Sequence, residues 1–209
     1  MDAPDQQTVA TPRRCAAILA GGQAARYGGL AKGLLSAPGQ RSLIARLIGV
    51  VTSFGVCETA IFATDAAPYA HLGLEVVPDR RPGLGPIAGI ETALGHFGGR
   101  CEAVLLLPCD MPAITERELR ALWAAFQKSK APVALAQTPD GGWHPLCAIA
   151  RADLGLAVSK AIDEGVRSVQ QLWRLVGAVP VHFDDAAPFA NINTPEDWQA
   201  FSGRVARHV

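Results

Sequence analysis

The stretch Leu19-Ala-Gly-Gly-Gln-Ala-Ala-Arg-Tyr-Gly-Gly-Leu-Ala-Lys-Gly-Leu-Leu35 begins where a short apolar run, Cys15-Ala-Ala-Ile-Leu-Ala20, breaks into glycines. A short run of apolar residues that ends so abruptly fits a strand buried on both faces, as in a parallel sheet. Glycines after such a strand let backbone N–H groups come close to an anion, and nests of those groups bind phosphate. Arg26 and Lys32 add two positive charges to the same loop. The spacing is neither G-x-G-x-x-G nor a Walker A loop, because Gly33 rather than Ser or Thr follows Lys32. Read without a family, the loop is a glycine-rich turn with cations that are either solvated or waiting for a triphosphate.

Outward from that stretch, strand-like and helix-like patterns alternate. A helical pattern covers Ser42 to Val51, and Thr59 to Ala63 and Leu74 to Val77 are strand-like. Ile87 to Leu94 follows a Gly/Pro-rich loop as a helix, and Ala103 to Leu107 is the strongest buried-strand candidate. Thr115 and Glu118 have capping-box spacing and open a helix through about Lys128. Pro132 to Ala136 and Leu146 to Ile149 are further strands, with Gly141-Gly142 turning between them. Two helical stretches and a strand, Val179 to Phe183, lead to a last helix with Thr194 as cap and Pro195 first. This order predicts an α/β fold with a mainly parallel sheet, whose ligands sit in the loops beyond the strands' carboxyl ends. Residues 1–13 read as a flexible tail and 14–209 as one domain.

Composition narrows the function. Lys+Arg and Asp+Glu stand at 19 each, so no global basic field exists to collect nucleic acid or an anionic membrane. Five widely spaced cysteines without a C-x-x-C pair form neither a disulfide framework nor a zinc pattern. No signal-like N-terminus and no membrane-length apolar run is present, which points to the cytoplasm.

Three further loops carry candidate chemistry. In Val77-Pro-Asp79-Arg-Arg-Pro-Gly-Leu-Gly-Pro-Ile-Ala-Gly89, Asp79 is either a turn or helix-capping acid or a carboxylate set on a nucleoside edge. In Leu107-Pro-Cys-Asp-Met-Pro112, Asp110 stands at the end of the most buried strand, where a carboxylate is costly unless it meets a cation. Mg²⁺ binds through one or two carboxylates plus nucleotide phosphates, so Asp110 fits a metal role as well as a turn role. Phe189-Ala-Asn-Ile-Asn-Thr-Pro-Glu-Asp197 reads as a helix start preceded by Asn191 and Asn193.

These loops, in this order, resemble the nucleotidyltransferases of the molybdenum cofactor guanylyltransferase type. The first stretch resembles their L-A-G-G-x-x-x-R-M-G-G-x-D-K-G-L signature, departing from it at Tyr27 (usually Met) and Ala31 (usually Asp). The second resembles D-x-x-x-G-x-G-P-[LI]-A-G, the third P-C-D-x-P and the fourth F-x-N-x-N-T-P-E-[DE]. The resemblance implies a three-layer, Rossmann-like nucleotidyltransferase fold. It also implies transfer of GMP from GTP to the phosphate of molybdenum-bearing molybdopterin, with Mg²⁺ as cofactor and pyrophosphate as second product. Arg26, Lys32 and Asp110 would be catalytic; Leu19, Ala20, Gly21, Gly22, Lys32, Asp79 and Asp110 would bind the nucleotide, and Asp110 the metal. Trp143-His144-Pro145 resembles the family's H-P segment, and Gly165-Val-Arg167-Ser168-Val169 its G-x-R-S-[VL] stretch. His144, Arg167, Asn191 and Asn193 would then face the acceptor, although each also has an ordinary structural reading. Partners implied are the two small-molecule substrates and molybdoenzymes or cofactor-handling proteins. Rival readings are a transferase using CTP or a sugar phosphate, and a nucleotide-binding module without catalysis, for which Ala31 is the hint.

Overall fold

The computed structural model describes residues 13–21, 31–36, 41–193 and 195–205. Gly22, Arg26, Tyr27 and the expected cap Thr194 lie outside these residues.

β1 (Arg14–Leu19), β2 (Glu58–Ala63), β3 (Glu75–Pro78), β4 (Ala103–Pro108), β5 (Val133–Gln137), β6 (Trp143–Arg151) and β7 (Val179–His182) form a sheet in the order β3-β2-β1-β4-β6-β5-β7. β6 runs antiparallel to both neighbours, and the other pairings are parallel. The central strands show why a continuous apolar run was the right signal. Cys15, Ala17 and Leu19 of β1 face one core while Ala16 and Ile18 face the other, each 6% exposed or less. One core is closed by α2 (Pro86–Phe97), α4 (Gly155–Asp163) and α5 (Val169–Leu175). The opposite core is closed by α1 (Leu43–Phe54) and α3 (Glu116–Ser129), giving three layers. α6 (Pro195–Val205) makes a small separate cluster in which Phe201 and Ile192 meet Leu43 at the start of α1.

Helix ends fall where side chains satisfy the free backbone groups. Ser42 Oγ accepts from Ala45 N–H, and Gly55 closes α1 with a φ of 82° that favours glycine. The Thr115–Glu118 capping box forms as expected.

Two boundaries differ from the sequence expectation. Arg13, assigned to the tail, extends the pairing of β1 with β4, because its carbonyl accepts from Glu102 N–H at 2.8 Å. β6 starts three residues before Leu146 and carries Pro145 within it. Proline has no N–H for the ladder, and the register with β5 shifts between Leu135 and Ala136 to pass it. The carbonyl of Pro145 is satisfied instead by Trp173 Nε1–H at 2.6 Å.

Candidate active site

A cleft of about 440 Å³ opens beyond the carboxyl ends of β1, β2, β3 and β4. Its floor is the point where β1 ends. Ala20 N–H donates to Phe62 O at 2.8 Å and Cys109 N–H to Leu19 O at 3.0 Å, so the sheet ladder holds the chain to the cleft's edge. Ala20 O is then taken by Tyr69 Oη–H at 3.3 Å, and Gly21 leaves with its backbone beside Asp79. A Cβ on Gly21 would lie 3.6 Å from Asp79 Oδ2, so the glycine keeps this corner open next to a carboxylate.

Asp79 follows β3 directly. Thr64, one residue beyond β2, donates through Oγ1 to Asp79 Oδ2 at 3.1 Å. Oδ1 is buried and has no hydrogen-bond partner. Burial pushes the Asp79 carboxyl above its ordinary range, and the Thr64 hydrogen bond opposes that only in part. Gly89 in the first turn of α2 brings the helix against the same group; a Cβ there would meet Leu19 Cδ2 at 3.3 Å. The loop between Asp79 and α2 is tied down from outside. Arg81 lies 3.1 Å from the buried Glu91 carboxylate and donates to Asp163 at 2.6 Å, while Ser159 donates to Glu91 at 2.6 Å. The Arg81–Glu91 contact is an ion pair off the hydrogen-bonding direction, which leaves Glu91 Oε2 without a hydrogen bond.

Asp110 follows β4, three strand spacings from Asp79 along the sheet, or roughly 14 Å. Lys32 Nζ sits 2.6 Å from Asp110 Oδ2 and donates also to Asn193 Oδ1 at 3.0 Å. Asp110 Oδ1 is buried and unpartnered. The Asn193 loop reaches the site because Ile192 N–H donates to Asp110 O at 2.9 Å. Ala31 supplies no acid beside Lys32, and the lysine finds its counter-charge across the sheet in Asp110. Cys109 packs against Gly33, and burial pushes its thiol up to about 12, with the Asp110 charge adding to this and Lys32 opposing it. Such a thiol is packing, not a nucleophile.

The cleft therefore gathers Leu19, Ala20, Gly21, Lys32, Asp79, Asp110 and Asn193 from the sequence-derived set. Asn191, His144 and Arg167 do not line it. Asn191 is exposed beside the Asn193 loop. His144, on the same edge of the sheet but opposite β5, shares a 3.3 Å hydrogen bond with Thr138 and packs on Phe189. Burial holds its imidazole below the ordinary value, against the opposing pull of Asp140. Arg167 donates from Nη1 to Ile162 O at 2.7 Å and to Val166 O at 2.9 Å, at the end of α4. Thr64 and Tyr69 were not foreseen; a hydroxyl one residue past a buried strand was the available signal for Thr64.

Asp110 and Asn193 offer hard oxygen atoms and one buried oxygen without a partner, a donor set that fits Mg²⁺. A second group with metal-ligand atoms, Glu58, Glu75 and His96, lies at the opposite end of the sheet. There the Arg100 guanidinium already reaches Glu58 at 2.5 Å and His96 at 2.9 Å, so a protein cation already sits among these groups.

Comparison with known proteins agrees with this architecture. The MobA-like NTP transferase domain matches residues 16–179. The molybdenum cofactor guanylyltransferase of Shewanella frigidimarina (strain NCIMB 400) is 33% identical over 200 residues, covering 94% of this chain and 99% of that protein. The crystal structure of molybdopterin-guanine dinucleotide biosynthesis protein A from Archaeoglobus fulgidus superimposes with a TM-score of 0.75 at 24% identity, covering 92% of this chain and 99% of that one. CMP:2-keto-3-deoxy-manno-octonic acid synthetase complexed with CTP has the same fold, with a TM-score of 0.72 at 14% identity over 94% of this chain and 100% of that one. The fold is thus common to proteins that handle different bases, and base choice has to come from side chains in the cleft.

Proposed function

The chain belongs to the MobA-like NTP transferase family, and on that footing we propose that it transfers GMP from GTP to the terminal phosphate of molybdenum-bearing molybdopterin. The observation that carries this reading is the pair of buried, unpartnered carboxylate oxygens, Asp79 Oδ1 and Asp110 Oδ1, set in one cleft with the Gly21 turn and Lys32. An unpaired buried oxygen is costly, and two of them on residues that line one cavity support a site completed by a ligand.

Asp79 is matched to guanine by hydrogen-bond sense. The guanine edge carries N1–H and N2–H donors, which a carboxylate accepts; cytosine offers fewer donors in that position. Lys32 and the amides around Gly21 would hold the triphosphate, with Arg26 in the adjoining segment added on the strength of the family signature. Asp110, with Asn193, would hold Mg²⁺, whose contribution is to neutralise charge on the phosphates and bring them into register. In the reaction an acceptor phosphate oxygen forms a bond to the α-phosphorus of GTP as the bond to the β-phosphate bridging oxygen breaks. Pyrophosphate leaves. Such a transfer needs little covalent help, and this chain's residues act by positioning and charge neutralisation. The acceptor would enter from the β5–β6–β7 side, where His144 lies.

The test is the change in thermal midpoint with GTP, CTP, ATP or UTP, each with Mg²⁺, followed by pyrophosphate release with the pterin acceptor. A ligand at about 100 times its Kd stabilises by roughly 2.7 kcal/mol, a shift of several degrees for a chain this long. A GTP-selective shift and acceptor-dependent pyrophosphate release are expected. A CTP preference would move the chain to a different transferase, and GTP binding without pyrophosphate release would leave a binding module.

A further inference from the structure

Three of the five cysteines come together at the end of the sheet opposite the cleft, and the strand order alone explains how. Cys15 is the second residue of β1. Cys57 immediately precedes β2 and Cys101 lies two residues before β4, the strands on either side of β1. Cys15 is fully buried, Cys57 is exposed and Cys101 is half-buried. Cys15 Sγ lies 3.5 Å from Cys57 Sγ, while the Cys101 thiol donates to Ala103 O at 3.2 Å. Cys57 N–H donates to Arg14 O at 2.9 Å, which fixes the Cys57 backbone beside Cys15. The two outer thiols are linked by their neighbours, since Arg100 and Glu58 form an ion pair across β1's flank.

We propose that Cys57 and Cys15 form an internal disulfide, with a hydroperoxide as oxidant. The exposed Cys57 thiolate attacks the peroxide oxygen; the O–O bond breaks, hydroxide leaves and Cys57 becomes a sulfenic acid. The Cys15 sulfur then attacks the Cys57 sulfur, the S–O bond breaks, and water departs with the Cys15 proton. Two electrons pass from the thiol pair to the peroxide. Cys15 is poised to resolve the sulfenic acid because the two sulfurs already lie 3.5 Å apart, and its burial denies the peroxide a direct attack on it. A cellular dithiol returns the pair to thiols by exchange at the exposed Cys57 sulfur. The bond would join the starts of β1 and β2, the two strands whose far ends deliver Gly21 and Thr64 to the cleft.

The full chain, reduced and freed of reductant, is treated with dilute hydrogen peroxide, alkylated and examined by intact mass and non-reducing peptide mapping. The expected product is a monomer lighter by two hydrogens with the Cys15 and Cys57 peptides linked. Cys57→Ser removes that link, and Cys101→Ala keeps it. Both variants are first matched to the wild type in thermal midpoint and in GTP binding, which involves none of the three cysteines. Overoxidation of Cys57 to sulfinic acid without a link, a bond between two chains, or a link that survives Cys57→Ser and disappears in Cys101→Ala would each overturn the assignment.

Discussion

The two halves of the sheet treat their polar groups in opposite ways. In the β3-β2-β1-β4 half, two carboxylates at strand ends keep a buried oxygen without a partner, Asp79 Oδ1 and Asp110 Oδ1, and both residues line the cleft. In the β6-β5-β7 half, the conspicuous polar residues are engaged within the protein. His144 shares a hydrogen bond with Thr138, Asp140 accepts from Thr138 and Gly142 in the β5–β6 turn, and Arg167 holds two carbonyls at the end of α4. The leftover there is Gln137 Oε1, at the carboxyl end of β5. On the proposed function, the first half would be a preformed nucleotide site whose fold carries the electrostatic cost in advance. The second half satisfies most of its conspicuous polar groups internally and would meet an acceptor with less built-in demand. Recognition of the nucleotide would then reside in groups that destabilise the free protein, and recognition of the acceptor would not.

The hardest test of that contrast is at Lys32 and Asp110. Lys32→Ala removes a preorganised cation from the triphosphate side and should cost roughly 3–4 kcal/mol of barrier, read as kcat/KM. Some stability should be lost as well, because the two side chains are only 27% and 19% exposed and the variant leaves the Asp110 carboxylate without its counter-charge. Asp110→Asn keeps the shape and removes the charge, so Mg²⁺-dependent turnover should collapse in a protein that still folds. A loss below about tenfold for Lys32→Ala would take the lysine off the triphosphate, and turnover by Asp110→Asn at ordinary Mg²⁺ concentrations would take the aspartate off the metal.

How much of this was legible beforehand follows the same division. β1 and β4 were plain in the sequence because a strand buried on both faces has no polar alternation, and the α3 cap was plain because Thr115 and Glu118 satisfy each other locally. Asp79 and Asp110 could be singled out because each closely follows an apolar run, where chain order implies a carboxyl-end loop, whereas Lys32 was singled out as a cation of the glycine-rich loop and by the family signature. Thr64 was missed because its partner is 15 residues away and the two meet only through the β2–β3 register. The start of β6 was missed because proline ordinarily excludes a strand interior, and the bulge that admits Pro145 is a property of two strands together. Arg167 matched a family segment, yet its guanidinium lies on carbonyls of the preceding helix, a local contact that a motif does not distinguish from an acceptor contact.

Asp79→Asn should separate stability from binding. Burial raises the folded-state carboxyl above its unfolded value of 3.8, so the stability it allows is fully present below pH 3.8 and is lost as pH rises through the folded value. At neutral pH the asparagine variant should consequently have a thermal midpoint equal to the wild type or higher, by at most about 2–4 °C, with the difference shrinking toward pH 4. Its GTP-induced shift should fall sharply while CTP and GTP become less distinguishable. Thr64→Val sharpens the same point: the Asp79 carboxylate remains but loses the hydroxyl that fixes Oδ2, so GTP affinity should drop by less than in Asp79→Asn, and Thr64→Ser should restore it. A lower midpoint for Asp79→Asn with GTP selectivity intact would mean that Asp79 serves the loop and not the base.

The smallest effect is expected at Arg167, and it probes the other half. Its Nη1 ties the end of α4 to the segment that follows, donating to Ile162 O in the last turn and to Val166 O just beyond it. Arg167→Ala should lower stability by about 0.5–1.5 kcal/mol, within the usual range for an intramolecular hydrogen bond, and leave kcat and the KM for GTP unchanged. The decisive quantity is the KM for the acceptor. A residue committed to the helix end leaves it unchanged, whereas an arginine that swings to the acceptor phosphate raises it while stability stays put. The second result would show that this half also reserves groups for its ligand, exchanging carbonyl partners for a phosphate on binding, and the contrast between the two halves would then be one of timing and not of kind.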